Sequence, residues 1–234
     1  MNRNTYVWDD KGVYVKNLCN DGSKYGITQY RYPLNYELAG EKFELACECG
    51  KEFTLEFLCE KNLRFEGTVY PYEALKAGPK LYFVLFNYTW AVVDLNAKAV
   101  TVNIDSDICC TTIKGAEGAA AHTFAGDEMV GTKLGWIFGY GRMLTQDFIG
   151  EDRVKAAWSP KDEKFAENAY RAVKIGGPYY LVDMKTDTLS KVCAPFFTDH
   201  VVLLQDYDRC MAFGAIYGKG FEPMAVTAYA RFSY

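Results

Sequence analysis

Two histidines, His122 and His200, are the only ones in this 234-residue chain, and imidazole is the side chain whose charge changes nearest neutral pH. His200 follows Phe197-Thr198-Asp199 and opens an apolar run, so it could line a barrel as general acid or base. The competing reading is a strand-end histidine at the rim. Asp199 is its neighbour in sequence and in a strand would point to the opposite face, so it is poorly placed to orient the ring. His122 follows a small-residue stretch and reads as a solvated loop residue. Asp183 ends a second apolar run as either a buried acid or a rim carboxylate. Arg142 alternates with Trp136, Phe138 and Tyr140 along one hairpin, so a single face would carry all four. A guanidinium fork among aromatic rings suits a ligand carboxylate, with core packing as the alternative. Tyr179 and Tyr180 must face opposite ways, so one of them, taken as Tyr180, can line a cavity. Tyr88 and Trp90 form a similar aromatic pair earlier in the chain. The expected catalytic set is thus His200, Arg142, Tyr170 and Asp183. The expected ligand-binding set is Trp136, Phe138, Tyr140, Tyr180, Tyr88 and Trp90. Arg142 would hold a ligand oxygen and His200 would move a proton.

No motif of high specificity accompanies these residues. The chain lacks a P-loop, a Gly-x-Gly-x-x-Gly after a strand, a His-Glu-x-x-His helix and a nucleophile elbow, so no cofactor is expected. Eight cysteines are many for this length, and Cys47-Glu-Cys49 is the most motif-like. Tetrahedral zinc would need two further ligands at readable spacing; Cys59 is one candidate and no histidine lies nearby. The expectation is therefore no metal, with cysteines acting as small buried hydrophobes.

The elements that must position these residues come in two copies. Gly40, Lys42, Gly50 and Phe57 match Gly131, Lys133, Gly141 and Phe148 at one constant offset. Tyr72-Glu-Ala-Leu-Lys-Ala-Gly78 then matches Tyr170-Arg-Ala-Val-Lys-Ile-Gly176 at a slightly larger one. Two copies are too few for a solenoid and point to two related β-units. Short alternating segments with turn residues between them predict strands at 42–48, 53–59, 62–67, 80–87, 89–95 and 99–104. In the second copy they fall at 133–138, 143–149, 153–158, 179–184, 200–205, 210–217 and 225–234. Residues 71–76 and 161–173 predict short helices at equivalent places. Residues 14–17 and 25–32 predict extra strands completing the first unit, and the Gly-Ala-rich stretch 114–121 a linker. The fold expected is all-β, with a lipocalin-like unit over residues 1–112 and another over 123–234. A single larger barrel built from both copies is the alternative.

The repeated motifs carry a resemblance. A Gly-Lys opening, a hairpin, Tyr72-Glu-Ala-Leu-Lys-Ala-Gly-Pro79, Leu81-Tyr-Phe-Val-Leu-Phe86 and Val92-Val-Asp-Leu95 resemble the N-terminal half of the MoaF-like family. Tyr170-Arg171, Gly176-Gly-Pro-Tyr-Tyr180 and Gly214-Ala-Ile-Tyr-Gly218 resemble its C-terminal half. The resemblance covers residues 38–218 and implies a lipocalin-like (calycin) antiparallel β-barrel. Phenolic acid decarboxylases share that architecture, and one of their hairpins resembles Phe197-Thr-Asp-His-Val-Val202. The likeness stops short of their chemistry. Gly135-Trp-Ile-Phe-Gly139 lacks their tyrosine pair, and their glutamate position falls near Gly176-Gly177.

Composition narrows the function. Half the residues are hydrophobic and 16% aromatic, enough for a sizeable core. A net charge of −4 without a basic stripe argues against nucleic acid. No apolar run is long enough to span a bilayer as a helix, and the first residues lack the apolar core of a signal peptide, so the expectation is a cytoplasmic protein. Eighteen tyrosines suit a cavity for a flat aromatic ligand with few polar groups. The function expected is a small-molecule-binding barrel, leaning towards a cofactor-independent lyase, hydratase or isomerase on a small hydrophobic or phenolic compound. A non-catalytic carrier or sensor is the alternative, and a homodimer is left open.

Overall fold

Strands dominate because apolar and β-branched residues alternate between Gly, Asn and Asp turns. The structure, a computed structural model, describes residues 5–8, 14–17, 27–139, 142–158, 165–186, 198–218 and 221–231. An N-terminal hairpin pairs β1 (Thr5–Trp8) with β2 (Tyr14–Asn17). Then come β3 (Lys42–Cys47), β4 (Glu52–Phe57), β5 (Asn62–Phe65), β6 (Thr68–Gly78), β7 (Leu81–Phe86), β8 (Thr89–Asp94), β9 (Ala99–Ile104) and β10 (Asp107–Ile113). Each pairs antiparallel with the next, and β10 pairs with β3, so the eight strands close into a barrel. Closure removes every free edge.

The second copy repeats the plan. After β11 (Thr123–Phe124), which lies beside β15, and a short helix α1 (Gly126–Met129) come β12 (Lys133–Gly139), β13 (Arg142–Phe148), β14 (Arg153–Trp158) and β15 (Ala166–Gly176). They continue as β16 (Tyr179–Lys185), β17 (Thr198–Asp206), β18 (Met211–Gly218) and β19 (Phe221–Arg231). Here β19 pairs with β12, again closing eight antiparallel strands. The fold is a duplicated lipocalin-like barrel, and the single larger barrel does not occur.

Register matches strand for strand. Phe43 faces Leu55 in the first barrel as Leu134 faces Gln146 in the second. Tyr82 faces Val93 as Tyr180 faces Gln205. Gly40 and Gly131 both sit at positive φ, 90° and 86°, which glycine adopts without steric cost. Their N–H groups donate to the carbonyls of Phe57 and Phe148, each at 2.7 Å. The lumen of the first barrel is filled by Phe43, Leu45, Leu55, Phe57, Tyr72, Val84 and their neighbours. That of the second is filled by Trp136, Phe138, Leu144, Phe148, Tyr170, Met184, Leu203 and theirs.

Three expectations need correction. Residues 71–76 and 166–173 are not helical; they lie in β6 and β15. Glu-Ala-Leu-Lys-Ala favours a helix in isolation, but its ladder with β7, Glu73 opposite Leu85 through Lys76 opposite Tyr82, overrides that preference. Residues 27–30 form a turn rather than a strand. The segment ahead of the first copy also groups with the second barrel: the compact units are Met1–Pro33 with Phe124–Tyr234, and Leu34–Thr123. Ile27 is fully buried in the second barrel's core. The Tyr30 N–H donates to the Phe138 carbonyl at 3.3 Å, and the Tyr32 N–H to Thr227 Oγ1 at 3.1 Å. The first barrel closes without this segment because residues 107–113, unassigned in the sequence reading, supply β10.

Candidate functional site

Tyr170, expected in the catalytic set, is a latch shared by both copies. Its hydroxyl contacts the carbonyls of Gly150 at 2.8 Å and Gly126 at 3.0 Å, and its ring meets Phe148 edge-on at 4.8 Å. Tyr72 does the same in the first barrel: its hydroxyl donates to the Cys59 carbonyl at 3.1 Å and its ring meets Phe57 edge-on at 5.2 Å. Burial pushes both phenols up to about 12, so they stay protonated donors. Tyr180 belongs to a second shared device. Its hydroxyl and Lys174 Nζ both lie 2.6 Å from Glu128 Oε2, as Tyr82 and Lys76 both lie 2.7 Å from Glu37 Oε2. The Lys76 and Tyr82 hydrogen bonds hold the Glu37 carboxyl down to about 2.

The second lumen holds a polar chain that the first lacks. The Trp136 indole N–H donates to Gln146 Oε1 at 3.0 Å, and Gln205 Nε2 donates to the same oxygen at 3.0 Å. The Tyr207 hydroxyl donates to Gln205 Oε1 at 2.9 Å. Gln146 Nε2 donates to the thioether of Met184 at 4.0 Å, a weak acceptor. Trp136, Gln146 and Gln205 are all buried, and burial pushes the Tyr207 phenol up. Around them stand Phe138, its ring tilted at 5.7 Å against Trp158, and Tyr180, edge-on at 5.6 Å to Tyr207. Three expected binding residues, Trp136, Phe138 and Tyr180, therefore share this lumen. Gln146, Gln205 and Tyr207 were missed. A polar residue recurring on the apolar face of a strand, read against an aliphatic one in the other copy, is the signal that finds them.

His200 and Asp183 do come together, on the outer side of the second barrel's wall. In β17 the inward residues are Val201 and Leu203, so His200 faces outward; Val182 and Met184 give Asp183 the same sense in β16. His200 Nε2 meets Asp183 Oδ1, and an Arg171 guanidinium nitrogen lies 3.4 Å from Asp183 Oδ2. Asp183 is 4% exposed; burial pushes its carboxyl up, against the opposing pull of His200 and Arg171. Tyr217, directly across from His200 in the ladder, lays its ring 5.4 Å from the imidazole. The Tyr217 hydroxyl is buried without a hydrogen-bond partner among the described residues, and burial pushes this phenol up as well. A carboxyl on one imidazole nitrogen fixes the orientation of the ring. That arrangement can move a proton. The expectation of a barrel-lining His200 is corrected: strand parity turns it away from the lumen.

The remaining expected residues scatter. Arg142 begins β13 on the face of Leu144 and Gln146, across the wall from His200, so the two do not converge. Tyr140 lies outside the described residues. Tyr88 is 60% exposed in the β7–β8 turn at φ 57°. Trp90 is buried on the outer face of β8, since Ala91 and Val93 take the lumen. Those two form no joint site. His122, expected to be solvated, is buried: its Nδ1 lies 2.7 Å from Thr101 Oγ1 and its Nε2 3.6 Å from Asp94 Oδ2. Burial pushes the Asp94 carboxyl up, but His122 and the backbone N–H groups of Ala97 and Asn96 outweigh it and leave it below its ordinary value. Among the described residues no group of three or more His, Cys, Asp or Glu could hold a metal, and no helix is long and apolar enough to cross a membrane. Compared with known proteins, the chain matches no family model and no curated protein.

Proposed function

We propose that this is a small-molecule-binding barrel protein and that its second barrel takes the ligand. The observation that carries the reading is the Trp136–Gln146–Gln205–Tyr207 chain, set among aromatic rings at positions the first barrel fills with Leu45, Leu55, Val93 and Leu95. An eight-stranded barrel is just wide enough to be filled by side chains or to hold one small ligand. Amide, indole and phenol groups in an aromatic lumen suit a small hydrophobic or phenolic compound with few polar groups. The eight-stranded architecture is also the one implied by the MoaF-like resemblance, which we keep as part of this proposal. The test is a thermal-shift screen of phenolic acids and related aromatics on the wild-type chain and on Gln205→Val. A ligand at a hundredfold excess over its dissociation constant stabilises the fold by about 2.7 kcal/mol. The expected outcome is a shift in the wild type that Gln205→Val loses; a shift retained in full by the variant would overturn the reading.

Asp183–His200 favours a second reading, cofactor-independent acid/base catalysis of lyase, hydratase or isomerase type. The chemistry would then run at the outer wall, with Arg171 balancing the buried carboxylate. His200→Ala should lower turnover by roughly 10²–10⁴-fold with little change in binding. Unchanged turnover of a screened compound by folded His200→Ala protein would take the chemistry away from the Asp183–His200 pair and overturn this second reading.

A further inference from the structure

The Cys47-Glu48-Cys49-Gly50 turn of the first barrel has no counterpart in the second, where Phe138, Gly139, Tyr140 and Gly141 stand in its place. The duplicated fold therefore does not require thiols there. The turn is tight: the Cys47 N–H donates to the Lys51 carbonyl and the Gly50 N–H to the Cys47 carbonyl, both at 2.9 Å. It folds the two cysteines onto each other, so that the Cys49 N–H donates to Cys47 Sγ at 3.4 Å. Cys49 is exposed and Cys47 half-buried, and both are free. Cys109 and Cys110 lie across the β3–β10 seam, where Thr111 faces Cys47.

We propose that Cys47 and Cys49 are a redox-active dithiol, Cys49 the attacking thiol and Cys47 the resolving one, which a low-molecular-weight disulfide converts to a Cys47–Cys49 disulfide. The Cys49 thiolate attacks one sulfur of the disulfide, forming a mixed disulfide and expelling one thiolate. Cys47 loses its proton and attacks the Cys49 sulfur, expelling the second. The protein gives up two electrons and two protons, and the small disulfide is reduced to two thiols. The environment supports this division of roles. Cys49 is the exposed thiol and is lowered by the adjacent Cys47 thiol and by the Lys51 backbone and charge, while burial raises the half-buried Cys47. The thiolate is the reacting species, and the optimum attacking thiol titrates near ambient pH. Burial likewise raises Cys109 and Cys110, so they compete poorly.

The test uses the full chain and oxidised glutathione, with acid quenching, alkylation and peptide mapping. The expected result is a peptide containing Cys47 and Cys49 that loses two hydrogens, about tenfold faster than Cys109 or Cys110 react. In Cys47→Ser a glutathione adduct should persist on Cys49. Cys59, exposed and hydrogen-bonded to Asn62 Nδ2 at 3.9 Å, should take an adduct that does not resolve, and serves as the internal comparison. A persistent adduct on Cys49 in the wild type, or a bridge from Cys49 to Cys109, would overturn the proposal. The wild-type map decides on its own if the variant fails to fold.

Discussion

Where the first barrel has Leu55, the second has Gln146, and the differences cluster around that point. Leu45 gives way to Trp136, Val93 to Gln205 and Leu95 to Tyr207, while strand register stays the same. The latches recur in both copies: Tyr72 and Tyr170, Glu37 and Glu128, Lys76 and Lys174 make equivalent contacts, with the Gly126 carbonyl an extra acceptor for Tyr170. What a barrel needs in order to close has been kept twice. What fills it has been kept only as aliphatic and aromatic packing in one copy and has become a hydrogen-bonded chain in the other. A buried amide is costly unless satisfied, so four polar residues in one lumen are either mutually supporting or serve a ligand.

The largest expected effects test the equivalence of the latches. Phe57 and Phe148 are both fully buried against a tyrosine ring. Phe57→Ala and Phe148→Ala should each cost about 3–5 kcal/mol in denaturant unfolding, because each opens a cavity. Strongly unequal costs would break the comparison.

The next test exchanges the lumens. Gln146→Leu strips the acceptor from Trp136 and Gln205 and should cost about 1–3 kcal/mol, although leucine is what the first barrel uses there. Leu55→Gln should also destabilise by about 1–3 kcal/mol, because the new amide finds no partners. If either exchange is neutral, the difference between the lumens is not energetic.

Smaller still, Tyr72→Phe and Tyr170→Phe should each lose about 1 kcal/mol, one net hydrogen bond, as read from unfolding midpoints. Rescue of both by the retained rings would sharpen the view that packing, rather than the hydroxyl, closes each barrel.

The subtlest contrast is in pH. The Asp183 carboxyl is raised in the folded state, so the folded chain binds that proton more tightly than the unfolded one. Stability from this group is present below the ordinary aspartate value and is lost as pH rises through the raised one. Glu37 runs the other way: held at about 2, it contributes above the ordinary glutamate value and fades as pH falls through about 2. Its half-exposed side chain makes that contribution small. Asp183→Asn should flatten the loss on the rising side in unfolding titrations across pH. An unchanged profile would show that His200 and Arg171 fully offset the burial.

The amino-acid sequence alone determined the duplication, the strand-rich class and most strand positions, because alternation and turn residues are local signals; 99–104 and 14–17 match the observed strands. It also put the expected catalytic set, His200, Arg142, Tyr170 and Asp183, in the second copy. Other features only the tertiary structure decided. Glu-Ala-Leu-Lys-Ala became strand because β7 supplied its ladder partners. β7 is buried on both faces, so alternation vanished just where strands are most deeply packed. His200 and Asp183 meet although sequence offered only Asp199, since a partner across a ladder is set by register between β16 and β17. The lumen chain joins β12, β13 and β17 with the turn that follows β17. No window of sequence contains it, because hydrogen bonds between distant strands exist only once the barrel has closed.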